Sequence, residues 1–289
     1  MSVYALFIIS VFCAIAKNLL PKGGGKDFSN IGGLMTVNIM SGLIGMTIFA
    51  VKGLDFSLVY DGIFVCMALM YGIFTVLMQS FYMAAAEKGS VSVCSLIYAS
   101  SFIIQTVFSV IYGREICSPM KTAGIILMLI SIAMVSLKDI KKSETNRKSV
   151  ILAVISMLFA AGVGILQKLY SGIYKGSGQS EYLFIAFLSM FVFAAAVRGF
   201  IKLRETKAEK PEARFYAFAF LVAVCVAVVN KLNILLVVKI PGVIFFPVYC
   251  AGTVLFSTIG SGLLFNEKLT KMQYCGILTG VAAIIMTVL

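Results

Sequence analysis

The charge set deepest in any apolar run is Lys231, within VAVVNKLNILLVVKIPG (226–242), with Asn230 and Asn233 beside it. An ammonium at the centre of a bilayer costs at least about 2.5–3.5 kcal/mol. The lysine therefore needs a counter-charge, a wet cavity or a route to the interface. Two readings stay open. Lys231 faces an internal cavity and meets the acidic group of a solute, or its stem lies on apolar surface while the ammonium snorkels outward. Asn230 and Asn233, three positions apart, share a helix face, with Lys231 rotated about 100° from Asn230. Both amides suit either a cavity wall or hydrogen bonds between helices. Related groups recur in Gln79 and Tyr82 of LMQSFY (77–82), and in Ser95, Tyr98, Ser101 and Gln105 at helical spacing. Tyr249 follows Phe245, Phe246 and Pro247, and a proline inside a helix can kink it and free carbonyls toward a cavity. Hydroxyls, amides and one ammonium recognise polar solutes by hydrogen bonds and ion pairing; bond-making chemistry needs more.

That chemistry is missing from the sequence. There are no histidines, which removes the commonest general base and metal ligand. Asp61, Glu87, Glu115, Glu181, Glu212 and Glu267 all fall at the ends of apolar runs, so no carboxylate lies deep enough to bind a bare organic cation. The seven cysteines have no metal-ligand spacing; six fall in apolar segments and Cys117 in a short connection, and most of them read as small buried hydrophobes. The expectation is a non-enzyme without catalytic residues, metal or cofactor. Its partners would be membrane lipid and a small polar solute that is anionic, zwitterionic or neutral.

The elements that must position these groups are membrane helices. Hydrophobic residues make up 61% of the 289 and charged residues 12%, against about 25% charged in soluble domains. Spanning a bilayer takes about 20 apolar residues. Ten runs approach this: 2–20, 31–51, 60–86, 91–113, 120–137, 149–170, 181–201, 214–238, 241–264 and 270–289. The expected fold class is an all-α polytopic membrane protein with ten transmembrane helices, placed in a bacterial inner or plasma membrane. The net charge of +12 comes from basic residues in the short connections. It reads as topogenic charge facing lipid and cytoplasm, not as a nucleic-acid surface.

Between the fifth and sixth runs lies KDIKKSETNRK (138–148), which divides the chain into five helices and five. Sliding the second half over the first at an offset of 151 pairs Lys17 with Lys168, Gln79 with Asn230 and Tyr82 with Asn233. At 152 it pairs Thr106 with Thr258, Ser109 with Ser261, Glu115 with Glu267 and Gly124 with Gly276. Scarce polar residues agreeing at a nearly constant offset point to duplication: residues 1–138 as a first repeat, 139–148 as a basic loop and 149–289 as a second repeat. An odd helix number per repeat inverts the second relative to the first, and such folds hold their site near the midplane where repeats meet. Lys17 and Lys168, which end the first helix of each repeat, snorkel at the interface, form gate ion pairs or steer substrate. Glu115 and Glu267 hold the turns that follow them or couple protons, the first reading being favoured by their place at helix ends. Basic residues concentrate in the odd-numbered connections, so both termini are expected outside; a C-terminal reporter fusion should give no cytoplasmic signal.

The segments SVIYGREICSPMKTAGIILMLISIAMVSL (109–137) and SGLLFNEKLTKMQYCGILTGVAAIIMTVL (261–289) carry a resemblance. Each has an aliphatic run, an acidic residue (Glu115, Glu267), a short polar turn and a glycine (Gly124, Gly276) in its last helix. In this the chain resembles the drug/metabolite transporter superfamily, in particular its EamA-type branch. The resemblance implies a secondary transporter working by alternating access, with a central cavity between two inverted repeats. It implies cytoplasmic termini, opposite to the charge bias, and no particular substrate. The candidate solute-binding set is Lys231, Asn230, Asn233, Gln79, Tyr82, Tyr98, Gln105 and Tyr249. The gating or structural set is Lys17, Lys168, Glu115, Glu267 and Pro247. A coupling ion is left open, and a complete repeat pair in one chain is consistent with a monomer. The alternative is a lipid flippase or a non-transporting membrane partner.

Overall fold

The structure, a computed structural model, describes residues 2–23, 28, 30–51, 54, 58, 60–89, 91–136, 146–204, 212–265 and 269–289. Glu267 and residues 139–145 of the expected inter-repeat loop lie outside them. The described elements are helices: α1 (Val3–Gly23), α2 (Ile31–Ala50), α3 (Gly62–Lys88), α4 (Val91–Ala99), α5 (Ser101–Gly113) and α6 (Pro119–Ser136), then α7 (Arg147–Tyr174), α8 (Gln179–Arg204), α9 (Ala213–Lys239), α10 (Gly242–Phe265) and α11 (Lys271–Val288). Among the described residues ten helical stretches are long and apolar enough to cross a membrane, α4 and α5 together supplying the fourth. Helix formation here satisfies every interior backbone group without help from solvent, as a lipid environment requires.

Local chemistry sets the helix ends. Asn30 accepts from the Gly33 N–H at 2.6 Å to start α2, and Thr270 and Gln273 form a reciprocal capping box on α11. Asp61 starts α3 by accepting from Ile63 N–H at 2.9 Å, and its other oxygen accepts from the Tyr174 hydroxyl at 2.5 Å. That Tyr174 bond, with the backbone donors, holds the Asp61 carboxyl below the usual carboxylate range. α5 and α7 stop where Arg114 (φ 48°) and Lys175 (φ 50°) turn left-handed.

The fourth span is broken at Ser100, where the sequence predicts one continuous helix. The Ser100 hydroxyl donates to the Leu96 carbonyl at 2.9 Å, and the next turn tightens to Ile103 N–H on the Ser100 carbonyl at 3.1 Å. A side chain competing for the i−4 carbonyl bends a helix in this way. The kink expected at Pro247 is not where the interruption falls: α10 runs from Gly242 to Phe265 through it. Pro247 lacks one donor in the second turn, and the flanking turns keep the helix whole.

The packing maps onto itself when the first five spans are exchanged with the last five. α3 lies on α7 as α9 lies on α1, α3 on α8 as α9 on α2, and α5 on α7 as α10 on α1. The exchanged partners α2 and α8, and likewise α6 and α11, pack directly on each other. One buried cluster gathers Phe64, Tyr170, Tyr182 and Phe187, and a second gathers Phe102, Met128, Phe245 and Ala283. Outward faces are as apolar as the inside, with Ile8, Phe12, Leu158, Phe220 and Leu278 exposed. Lipid matches both, so close packing and polar ties, not solvent exclusion, hold the helices together.

Candidate binding cavity

A cavity of about 200 Å³ lies between α1, α3, the α4–α5 pair, α7, α9 and α10. The flanking pairs α2–α8 and α6–α11 supply none of its described lining. Its position follows from polar residues recurring along single helix faces. Tyr71, Thr75 and Gln79 stand at successive four-residue steps on α3, and Asn230 and Asn233 share a face of α9. Tyr98, Ser101 and Gln105 form one stripe across the break at Ser100. α10 adds Phe245, Phe246, Tyr249, Cys250 and Thr253.

Hydrogen bonds join the walls in a closed ring. Ser10 of α1 donates to Asn233 Oδ1 on α9 at 2.6 Å. Tyr71 of α3 donates to Asn230 Oδ1 at 2.5 Å and accepts from Gln167 Nε2 of α7 at 2.8 Å. Gln105 Nε2 of α5 reaches the Ala160 carbonyl of α7 at 2.9 Å. Cys250 of α10 donates to the Ala99 carbonyl of α4 at 3.3 Å, and Asn18 of α1 meets Ser257 of α10 at 3.5 Å. Tyr71 is the hub, and Tyr71→Phe should lower stability by about 1 kcal/mol, because Asn230 and Gln167 lose a buried partner. A double-mutant cycle with Asn230→Ala in detergent should return a coupling of about 0.6 kcal/mol; a value near zero would show that the bond carries nothing.

The sequence-derived residues divide cleanly. Gln79, Tyr98, Gln105, Asn230, Asn233 and Tyr249 line the cavity, as does Lys17. Gln79 and Asn230, both on the wall, are related by the repeat offset of 151, and so are Tyr98 and Tyr249. Lys231, named in the candidate solute-binding set, is not among the described lining residues. Its ammonium lies 5.5 Å from the centre of the Phe49 ring on α2, and its carbonyl accepts from Gln179 Nε2 of α8 at 2.8 Å. One residue of helical rotation separates the α9 face that meets the cavity from the face that meets α2 and α8. Tyr82 also leaves the lining, packing against Tyr98 at 5.3 Å between ring centres.

Lys168 and Glu115 sit away from the cavity as an ion pair, their side chains only 12% and 13% exposed. Glu115 also accepts from the backbone N–H groups of Gly242 at 2.9 Å and Val243 at 2.8 Å. One carboxylate thus caps the start of α10 and ties it to α5 and α7, where negative charge also favours a helix N-terminus. Pro247 is buried in α10 outside the described lining. Tyr71, Thr75, Gln167 and Thr253 are lining residues that sequence reading passed over. The Tyr71–Thr75–Gln79 periodicity was the available signal.

Among the described lining residues Lys17 is the only charged one. The groups present can bind and orient a polar solute. No nucleophile–base pair occurs among the described lining residues, and no cluster of metal ligands occurs among the described residues.

Comparison with known proteins follows the same line. No curated protein matches the chain in sequence. Among solved structures 28 chains match, and one crystal structure of a protein superposes with a TM-score of 0.76 at 12% identity, over 99% of this chain and 96% of that chain. That is a likeness of fold. Residues 147–289 match the model of the EamA-like transporter family. The second half of this integral membrane protein, which has ten apolar spans among its described residues, thus matches an EamA-like transporter domain.

Proposed function

We propose that the protein is a secondary transporter that moves a small polar metabolite across a bacterial inner or plasma membrane by alternating access. The binding site in this reading is the cavity between the two five-helix halves, which are an inverted repeat. The observation that carries it is the polar, hydrogen-bonded lining in the middle of a bundle whose outer faces are apolar. Its volume is below the roughly 300–1,000 Å³ of pockets for drug-sized ligands, which favours a small solute. The pairing of helices under exchange of the halves supports two equivalent arrangements of one bundle, as alternating access requires. Bonds linking each wall to the next favour a solute chamber over the sideways-open groove that a lipid flippase needs.

Flux into proteoliposomes tests the reading. Filling the cavity with Gln79→Trp or Thr253→Trp should reduce flux at least about tenfold while the variants remain folded and monodisperse. Unchanged flux in both folded variants would rule the cavity out as the path.

A further inference from the structure

Lys17 is the one charged residue among the described lining of the cavity. It stands six residues before the end of α1, half-buried, with its residue on the cavity wall beside Ala14 and Asn18. No described carboxylate lines that wall. No described side chain hydrogen-bonds to its ammonium or forms an ion pair with it. Its counterpart at the repeat offset, Lys168, is by contrast neutralised by Glu115. Two lysines at equivalent positions therefore differ: Lys168 is paired with Glu115, whereas Lys17 belongs to the cavity wall without a carboxylate among the described lining.

We propose that Lys17 is the specificity-determining residue of the cavity, and that the solute is a small organic anion with one carboxylate-class group. This rests on the cavity being the solute site of a transporter. The chemistry is direct. In a low-dielectric enclosure an ammonium without a protein counter-charge is completed by a ligand anion, and a charge-assisted hydrogen bond outweighs a neutral one. Gln79 and Asn230 offer amide groups for the remaining polar atoms. Phe245, Phe246 and Tyr249 form an apolar wall for the organic body. A solute bearing an ammonium finds only neutral oxygens to meet it and is repelled by Lys17, so cations and, to a lesser degree, zwitterions are disfavoured.

The test uses the purified full chain and three probes sharing one ring: benzoate, benzamide and benzylamine. Binding is measured in detergent, and flux is measured in proteoliposomes with benzenesulfonate, whose fixed charge prevents leakage. Benzoate should bind about 30- to 100-fold more tightly than benzamide, with benzylamine weakest. Lys17→Gln should bring the benzoate-to-benzamide ratio close to one, Lys17→Arg should preserve most of it, and Lys231→Gln should leave it unchanged. A wild-type ratio near one, a ratio that survives Lys17→Gln, or one lost equally in Lys17→Arg would overturn the proposal. Flux of neutral or cationic solutes in preference to anions would sink this inference and leave the transporter reading standing. Lys17-dependent anion binding without flux of any solute would do the reverse.

Discussion

Replacing Glu115 by glutamine should cost the protein about 3 kcal/mol of stability, because removing one partner of a buried ion pair leaves the other charge uncompensated. Two consequences combine. Lys168, 12% exposed at its side chain, keeps its charge without a carboxylate, and α10 loses the negative group that receives the Gly242 and Val243 N–H donors. Lys168→Met should cost less, about 1–2 kcal/mol, since Glu115 still satisfies those backbone donors. The informative variant is the double one. Lys168→Met in the Glu115→Gln background removes the stranded ammonium and should recover part of the loss. Unfolding of the four proteins in one detergent reads this, and simple additivity would contradict the account of the pair as a coupled unit.

Gly276→Leu should prevent accumulation of folded protein. α6 and α11 cross so closely that a Cβ at Gly276 would lie 2.9 Å from the Met134 Cβ and 3.1 Å from the Val135 nitrogen. The reciprocal contact is as tight: a Cβ at Gly124 would meet Thr287 Oγ1 at 2.4 Å and the Thr287 nitrogen at 3.0 Å. Across this crossing Ser131 donates to the Gly276 carbonyl at 2.7 Å. Small residues let membrane helices approach to this distance. Even Gly276→Ala should cost about 1–3 kcal/mol through overpacking, and leucine adds atoms that the neighbouring backbone has no room for. Gly199 is the control: nothing lies within 4 Å of a Cβ there, so Gly199→Ala should be neutral or stabilising by up to about 1 kcal/mol through helix propensity. Yield and monodispersity after detergent extraction separate the two; equal behaviour of the Gly276 and Gly199 variants would refute the crossing as the cause.

The spans were legible because long apolar runs are the strongest signal a sequence carries. The paired positions Gln79 and Asn230 were legible because polar residues are scarce enough for a constant offset to show. Helix phase was not. α9 is apolar on every face, so nothing in its pattern tells which side of Asn230 meets the cavity, and Lys231, one residue on, falls against α2. The end of α1 was not legible either: the apolar run stops at residue 20, whereas α1 continues to Gly23, which leaves Lys17 a full turn and more inside the helix. The break at Ser100 escaped because serine is a weak signal beside proline, and its effect depends on a hydrogen bond back to Leu96 that sequence alone does not require. Pro247 carried the louder signal and sits in an unbroken helix.

The central claim is that one cavity serves both faces of the membrane in turn. A single cysteine at Gln79, in a chain whose seven native cysteines are replaced, measures this with a membrane-impermeant thiol reagent added to either side of oriented vesicles. The account predicts labelling from each side, with solute shifting the balance of the two rates and slowing both when bound. Labelling confined to one side under all conditions, at a position deep in the lining, would contradict it.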